Sequence, residues 1–455
     1  MKLLPQKPIV LPQDRAKGLS PVRLIAIYFI AAIVMGGFLL SLPFSHASGH
    51  YVSLLEAFFT STSAICVTGL TVVDTGTAYS LVGQIIILLL IQAGGLGIIT
   101  LGTLLAFASG RRVGFRERMN LQAQLNTFQV GGVVKLIRRI AYLIFGLELI
   151  AALFLWLRFA PVEGVWRGGY FALFHSVSAF NNAGFGLYPD SLMRFVADPL
   201  VNTVVMLLII LGGLGFIVEL NIFEHYRYPT KVRLSLHSKI VLLTTGLLIA
   251  IGWLIYLVLE WQHTLSPLPF FQKLLASLFL SITPRTAGFN TLDYGHMHDS
   301  SLLFTILLMF IGANPGSTGG GIKTVTFFLL VAGIWSVSRG NSEVTVFNRR
   351  ISLMLIIKAG VISMLAMLLI GAFLTLLTLT DPDKPFINLA FETVSAFGTV
   401  GLSTGITTQM SIAGKIILIV LMYLGRIGPM TFAIALIERQ NDSHIRYPEE
   451  DVVIG

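Results

Sequence analysis

Apolar residues along this chain come in long unbroken runs, not in the short periodic patterns of soluble helices and strands. Runs of this kind lie near 24–43, 82–108, 140–158, 200–218, 240–259, 351–379 and 412–437. Another starts at 302–311 and resumes, after a glycine-rich break, at 325–335. A helix needs about 20 apolar residues to cross ~30 Å of hydrocarbon, so the pattern predicts eight transmembrane helices in an all-α polytopic membrane protein. Lys2, Lys7, Arg15, Lys17 and Arg23 ahead of the first run imitate a secretory leader. The run is too long for one and no small-x-small cleavage site follows, so it is read as a retained helix.

Between the two members of each successive pair of runs lies a shorter, half-apolar segment that ends in small and polar residues. These segments read FTSTSAICVTGL from Phe59, FHSVSAFNNAGF from Phe174, LFLSITPRTAGF from Leu278 and FETVSAFGTVGL from Phe391. Aligned on their glycines, they place Gly69, Gly184, Gly288 and Gly401 at separations of 115, 104 and 113 residues. A second glycine follows each, Gly94, Gly212, Gly312 and Gly425, at offsets of 25, 28, 24 and 24. Two landmarks in register four times indicate an internal repeat of span, short segment, span. The boundaries are 1–23 for an N-terminal segment, 24–110 for repeat 1, 111–224 for repeat 2 with its preceding loop, 225–338 for repeat 3, 339–437 for repeat 4 and 438–455 for a tail.

Ten to fourteen apolar residues are too few to span, so each short segment is read as re-entrant or buried. Irregular backbone at membrane depth is tolerated only where protein buries it or where it lines a wet cavity. Four such pieces around one axis would direct four helix C-termini, with their partial negative charge, toward it. Four extended stretches would then ring that axis with carbonyl oxygens, a ligand set that replaces the hydration shell of a potassium ion. Glycine permits the backbone angles that such a ring requires.

Composition sharpens this picture. Hydrophobic residues make up 55% of the 455 positions and charged residues 12%, about half the charge density of a soluble domain. This excludes a disordered chain, a disulfide scaffold and a nucleic-acid-binding domain. The single Cys66 forms no internal bridge. The net charge of +9 matters through its distribution: 22 of the 31 Lys and Arg fall in segments on one side of the predicted spans and seven on the other. The positive-inside rule then places both termini in the cytoplasm.

The motifs VTGL, NNAGF, RTAGF and TVGL, with the later GANPGSTGGGIKT, GRIGP and the ending IRYPEEDVVIG, resemble the Trk/Ktr/HKT superfamily of potassium transporters. The nearest resemblance is to the bacterial Ktr-type membrane subunit, from about Pro21 to Gly455. It implies four membrane-pore-membrane repeats around one central pathway in a cell membrane. It also implies a selectivity filter made of Val67, Thr68, Gly69 and Leu70; Asn182, Ala183, Gly184 and Phe185; Thr286, Ala287, Gly288 and Phe289; and Thr399, Val400, Gly401 and Leu402. Potassium at the filter is the only metal expected, and no cofactor is bound by the chain. Glycine in all four repeats goes with potassium preference; sodium as an activating or co-transported ion stays open as the alternative. The implied partners are a second copy in a homodimer, a soluble nucleotide-binding (RCK-type) ring on the cytoplasmic face, and membrane lipids. Contacts with the ring or the second copy are expected at the basic 111–118 segment and the tail 446–455.

By the same resemblance, residues 312–323 form an intramembrane gating loop under the filter, with Gly312, Asn314, Gly316, Ser317, Thr318, Gly319, Gly320, Gly321 and Lys323 as its working residues. A packing kink of small residues is the bland alternative. The loop nearly spells a nucleotide-binding P-loop, but Ile322 displaces the lysine by one position and no strand precedes it. Arg426, an arginine inside a membrane helix, is a functional candidate by default. It is expected both to hold loop carbonyls and to raise the barrier for a permeating cation. Arg285 is expected to satisfy a pore-helix C-terminus. Glu148 and Glu219 have no partner readable from sequence. His175 is read as locally hydrogen-bonded, and the His46/His50 and His296/His298 pairs lack supporting metal ligands. No residue set has the geometry of a catalytic site, and the repeats run parallel, which disfavours an inverted-repeat exchanger.

Overall fold

The computed structural model describes residues 21–97, 133–230, 232–341 and 343–428. The basic 111–118 segment, most of the N-terminal segment and the tail 446–455 lie outside the described residues. The first part of the chain forms α1 (Pro21–Ser41), the short α2 (Leu54–Ile65) and α3 (Leu81–Leu96). Next come α4 (Val133–Glu163), α5 (Val165–Phe180), α6 (Pro199–Leu214) and α7 (Phe216–Arg227). They are followed by α8 (Leu236–Glu260), α9 (Phe270–Ile282), α10 (Asp299–Phe310) and α11 (Thr324–Ser338). The last group is α12 (Leu353–Thr380), α13 (Phe386–Gly398) and α14 (Ile412–Ile427).

The described residues are mainly helical, with one short exception. A two-stranded hairpin, β1 (Val344–Val346) paired antiparallel with β2 (Arg349–Ile351), joins α11 to α12. Phe347 and Asn348 both take positive φ at its tip, the geometry of the tight turns that match strand twist.

Among the described residues, four helices are long and apolar enough to cross a bilayer: Arg23–Ser41, Ile137–Glu163, Leu236–Glu260 and Leu353–Thr380. A fifth appears if α6 and α7, bent by 101° across Gly215, count as one span. The other apolar runs are not single long helices here. Those at 82–108 and 412–437 leave the described residues after Gly97 and Gly428. The run beginning at 302 is divided into α10 and α11 by residues 311–323.

The long helices present their apolar side outward. Leu149, Leu153 and Leu157 on α4, and Val361, Met364 and Leu368 on α12, are more than half exposed. The interior belongs to the short helices. Phe59, Phe174, Phe279 and Phe391, one on each of α2, α5, α9 and α13, are completely buried. Hydrocarbon tails are as apolar as leucine, so close packing and hydrogen bonds must hold such helices in place. Three hydroxyls do this in equivalent ways. Ser61 donates to the Ile33 carbonyl at 2.8 Å, Ser176 to that of Glu148 at 2.6 Å and Ser281 to that of Ile249 at 2.7 Å. Each fastens a short inner helix to the long outer helix before it.

Candidate functional site

Each short helix runs out into one of the glycine segments, and the four segments meet. A Cβ placed on Gly69 would lie 2.5 Å from the Ala183 carbonyl oxygen and 3.0 Å from Gly184 Cα. One on Gly184 would lie 2.9 Å from the Ala287 oxygen, and one on Gly288 would lie 2.5 Å from that of Val400. One on Gly401 would strike the Thr68 oxygen, with Gly69 Cα at 2.8 Å. The cycle therefore closes: each glycine abuts the backbone of the next, and the fourth returns to the first. Every one of these glycines has positive φ, between 70° and 94°, so a side chain is opposed both by backbone conformation and by space.

The residues two positions earlier share a further property. Val67, Asn182, Thr286 and Thr399 have φ of 57°, 55°, 70° and 49°. The left-handed region costs a residue with a Cβ roughly 1–2 kcal/mol, and β-branched Val and Thr are unfavourable there. The residues between, Thr68, Ala183, Ala287 and Val400, are not in that region. Alternating handedness brings successive N–H groups to one edge of a chain, and a planar trans peptide turns its carbonyl the opposite way. The left-handed residues are the feature sequence reasoning missed, because nothing about Val or Thr announces positive φ.

Bonds from the short helices hold the turns. Ser63 carbonyl accepts from Thr68 N at 2.8 Å, Ser178 carbonyl from Ala183 N at 2.8 Å, and Ser395 carbonyl from Val400 N at 2.9 Å. Ser63 and Ser395 also accept, through Oγ, from Gly69 N at 3.0 Å and Gly401 N at 3.1 Å. The third segment departs in its backbone bond, where Thr283 carbonyl accepts from Ala287 N at 3.0 Å; Thr283 Oγ1 donates to the Phe289 carbonyl at 2.5 Å, as Ser395 Oγ donates to that of Leu402 at 2.6 Å. Phe185, Phe289, Leu70 and Leu402 are buried behind the ring.

Above the glycines opens a cavity of about 300 Å³ whose lining includes Asp74, Asp190 and Asp293. Two of these carboxylates cap backbone: Asp74 accepts from Thr77 N and Asp293 from Gly295 N. Asp190 pairs with Arg194 at 2.7 Å. With Asp190 offset by Arg194, Asp74 and Asp293 leave the mouth an excess of negative charge, and such an excess around a cleft raises the local concentration of cations.

On the other side of the ring sits the 311–323 segment, buried along most of its length. Its ends are drawn together by the Gly312 N bond to the Ile322 carbonyl at 2.8 Å. Asn314 Nδ2 donates to the Gly213 carbonyl at 2.8 Å, and Thr318 Oγ1 to that of Gly212 at 3.0 Å. Phe216 N, first in α7, donates to the Gly316 carbonyl at 3.0 Å. Gly320 N donates to Thr399 Oγ1 at 3.1 Å, and a Cβ on Gly319 would strike Thr286 Oγ1. The segment therefore touches two of the left-handed threonines from beneath. Ser317 Oγ donates to the Asn314 carbonyl, and Lys323 Nζ to that of Gly319, within the segment itself. Gly321 has φ of +67°.

Arg426 lies beside this segment, its guanidinium donating to the carbonyls of Thr318 and of Gly94 on α3. The second glycine landmark has a separate reason. Cβ atoms on Gly94, Gly212 and Gly425 would strike the carbonyls of Ile65, Phe180 and Phe397 at the ends of the short helices. Gly312 is pressed instead against Gly320 of its own segment.

Arg285 does not serve the helix end expected of it. Its guanidinium reaches Thr245 Oγ1 on α8 at 3.3 Å, the same hydroxyl that accepts from Asn314 at 3.3 Å. It thereby ties the third turn to the segment below. Glu148 accepts from Asn181 Nδ2 at 3.0 Å, whereas both Glu219 carboxylate oxygens lack a partner among the described residues. His175 Nδ1 meets the Phe171 carbonyl at 2.8 Å. Among the described residues no group of three metal-ligating side chains occurs. Glu392 on α13 is completely buried.

Long helices with outward apolar faces around four buried glycine turns define a multi-helix membrane protein. The TrkH family profile, described as a cation transport protein, matches residues 23–446, and the chain belongs to that family. It is 44% identical over 439 residues to Ktr system potassium uptake protein B of Bacillus subtilis, covering 96% of this chain and 97% of that one. It is 38% identical over 445 residues to the potassium/sodium uptake protein NtpJ of Enterococcus hirae, covering 96% and 98%. In fold it is similar to the crystal structure of the potassium transporter TrkH from Vibrio parahaemolyticus, with a TM-score of 0.74 at 19% identity over 93% of this chain and 86% of that one. The family is one of transporters, not of enzymes.

Proposed function

We propose that this chain is the ion-translocating membrane subunit of a potassium uptake system, with eight spans arranged as four parallel membrane-pore-membrane repeats. The observation that carries this reading is the closed cycle Gly69, Gly184, Gly288, Gly401. A cycle of backbone carbonyls, one set from each repeat, offers a dehydrated potassium ion oxygen ligands without any charged side chain. The four turns are the selectivity filter. The 312–323 segment, packed beneath Thr286 and Thr399, is the gate, and Arg426 is its clamp. Both termini lie in the cytoplasm, where the excess of Lys and Arg falls. The relatives named for the Ktr system favour a separate regulatory subunit; here it is a nucleotide-binding ring that engages a homodimer of this chain.

A second reading, transport of sodium together with potassium, is favoured by the likeness to a protein named for both ions. Rubidium uptake into proteoliposomes, with and without a sodium gradient, separates the two. Selective rubidium uptake that ignores the sodium gradient supports a potassium pathway; acceleration by inward sodium supports coupling. Absence of rubidium uptake by a correctly inserted protein refutes both.

A further inference from the structure

His175 and Glu392 occupy the same register, each nine residues ahead of its glycine, on α5 and α13. Both side chains are completely buried, and both point behind the glycine turn at its outer end. Glu392 Oε1 accepts from Thr404 N at 3.1 Å, and Thr404 lies three residues past Gly401. His175 Nε2 accepts from Leu187 N at 3.4 Å, and Leu187 lies three residues past Gly184. The preceding residue also lies against each side chain, though only one is bonded: Ser403 Oγ donates to Glu392 Oε1 at 2.6 Å, whereas Gly186 merely abuts His175, a Cβ on it lying 3.2 Å from Nε2. Thr407 Oγ1 completes the carboxylate shell at 2.7 Å. On the histidine side, the Phe171 carbonyl can only accept and the Leu187 N–H can only donate. The ring is therefore the neutral tautomer with its proton on Nδ1.

The other two repeats lack such a post. Thr60 stands at that register in the first, beside the Tyr79 hydroxyl, and among the described residues its hydroxyl makes no bond to the residues just past Gly69; Phe279 stands there in the third and is apolar. Gly184 and Gly401 are opposite members of the four-glycine cycle, since each abuts Gly69 and Gly288 and not the other. From two chemically different side chains doing one job across a diagonal, we infer that His175 and Glu392 are positioning residues. They hold the outer ends of the second and fourth turns and so set the spacing of the carbonyl ring. The inference rests on the proposed filter and names the residues that tune it. What the turns require of each post is an acceptor for a backbone N–H; the chemical identity of the acceptor is secondary.

The test is sodium inhibition of rubidium uptake in proteoliposomes of the full chain. His175→Ala and Glu392→Ala should each lower the sodium concentration for half-inhibition by about tenfold, which corresponds to about 1.4 kcal/mol of discrimination. Glu392→Gln should restore most of it, because the amide oxygen still accepts from Ser403 and Thr404 while its NH2 donates to Thr407. Thr60→Val should leave the ratio at the wild-type value. Unchanged discrimination in both alanine variants overturns the inference, as does a Glu392→Gln protein no better than Glu392→Ala. If Glu392→Ala fails to accumulate, Ser403→Ala provides the reading: a smaller loss in the same direction supports the post, and no change overturns it. Gly401→Ser run in parallel separates the layers. If it alone loses discrimination, only the posts are refuted; if it too is normal, the filter itself is.

Discussion

Gly401 and Gly405 allow the cost of conformation to be separated from the cost of collision. They have nearly the same φ, +89° and +90°. A side chain at either should be disfavoured by roughly 1–2 kcal/mol on conformational grounds. Their surroundings differ completely. A Cβ on Gly405 meets nothing within 4 Å, whereas one on Gly401 strikes the Thr68 carbonyl and lies 2.8 Å from Gly69 Cα and 2.9 Å from the Thr68 carbonyl carbon. Relaxed carbon pairs sit at about 3.5–4.0 Å, so Gly69 Cα must retreat by at least roughly 0.7 Å, and the nearer Thr68 carbonyl oxygen by more. The obstacles are backbone atoms, with no flexible side chain to swing aside. A ring deformed on that scale should lose ten- to a hundredfold in potassium-over-sodium discrimination, about 1.4–2.8 kcal/mol. The assay is the ratio of rubidium to sodium uptake in proteoliposomes, normalised to inserted protein, with Gly405→Ser as the matched control. Gly405→Ser should be less stable than wild type yet equally selective. Equal loss of selectivity in both variants would show strain alone at work, and wild-type selectivity in Gly401→Ser would refute the reasoning altogether.

Three other outcomes are expected. Shortening Gly316–Gly321 should raise rubidium flux, most clearly in the absence of a regulatory subunit; flux that stays level or falls in a folded protein would favour a packing kink. Arg426→Ala should act in the same direction, since a hydrogen bond from a charged donor contributes about 1.5–3 kcal/mol and its loss from the Thr318 carbonyl should increase basal flux by about tenfold or more, with Arg426→Lys between the two; a flux unchanged from wild type would remove the clamp. Deleting 446–455 should weaken dimerisation or partner capture in a pull-down while membrane insertion is preserved, and a truncated protein that keeps both would show the tail to be dispensable.

The glycine turns were legible in the sequence because a backbone requirement had been imposed four times over: Gly69, Gly184, Gly288 and Gly401 all have positive φ and face neighbouring backbone where a Cβ would lie. What precedes them was not. Val67 and Thr399 are poor choices for positive φ by local preference, and only closure against neighbouring turns holds them there. The bend at Gly215 was hidden for the opposite reason: Leu214 and Phe216 are as apolar as the rest of their run, so hydropathy reads straight through it. Arg285 was assigned to the nearest helix end along the chain, whereas its hydroxyl partner is 40 residues away in α8. Glu392 gave no signal beyond its charge, since its three donors lie in the loop after the glycine.

The division of the apolar run beginning at residue 302 into α10 and α11 bears on how the protein enters the bilayer as it is synthesised. With 12 and 15 residues, α10 and α11 are each shorter than the ~20-residue length that spans hydrocarbon alone. The irregular stretch between them carries peptide groups that lipid cannot satisfy. Its first partners are already made: Gly212, Gly213 and Thr245, which meet Thr318 and Asn314, leave the ribosome before it does. Thr399 and Arg426 arrive only with the last quarter of the chain. Insertion of this unit is therefore a templated step, seated on the helices before it and locked by those after it. A nascent chain ending near residue 340 should carry the segment in place but loosely held.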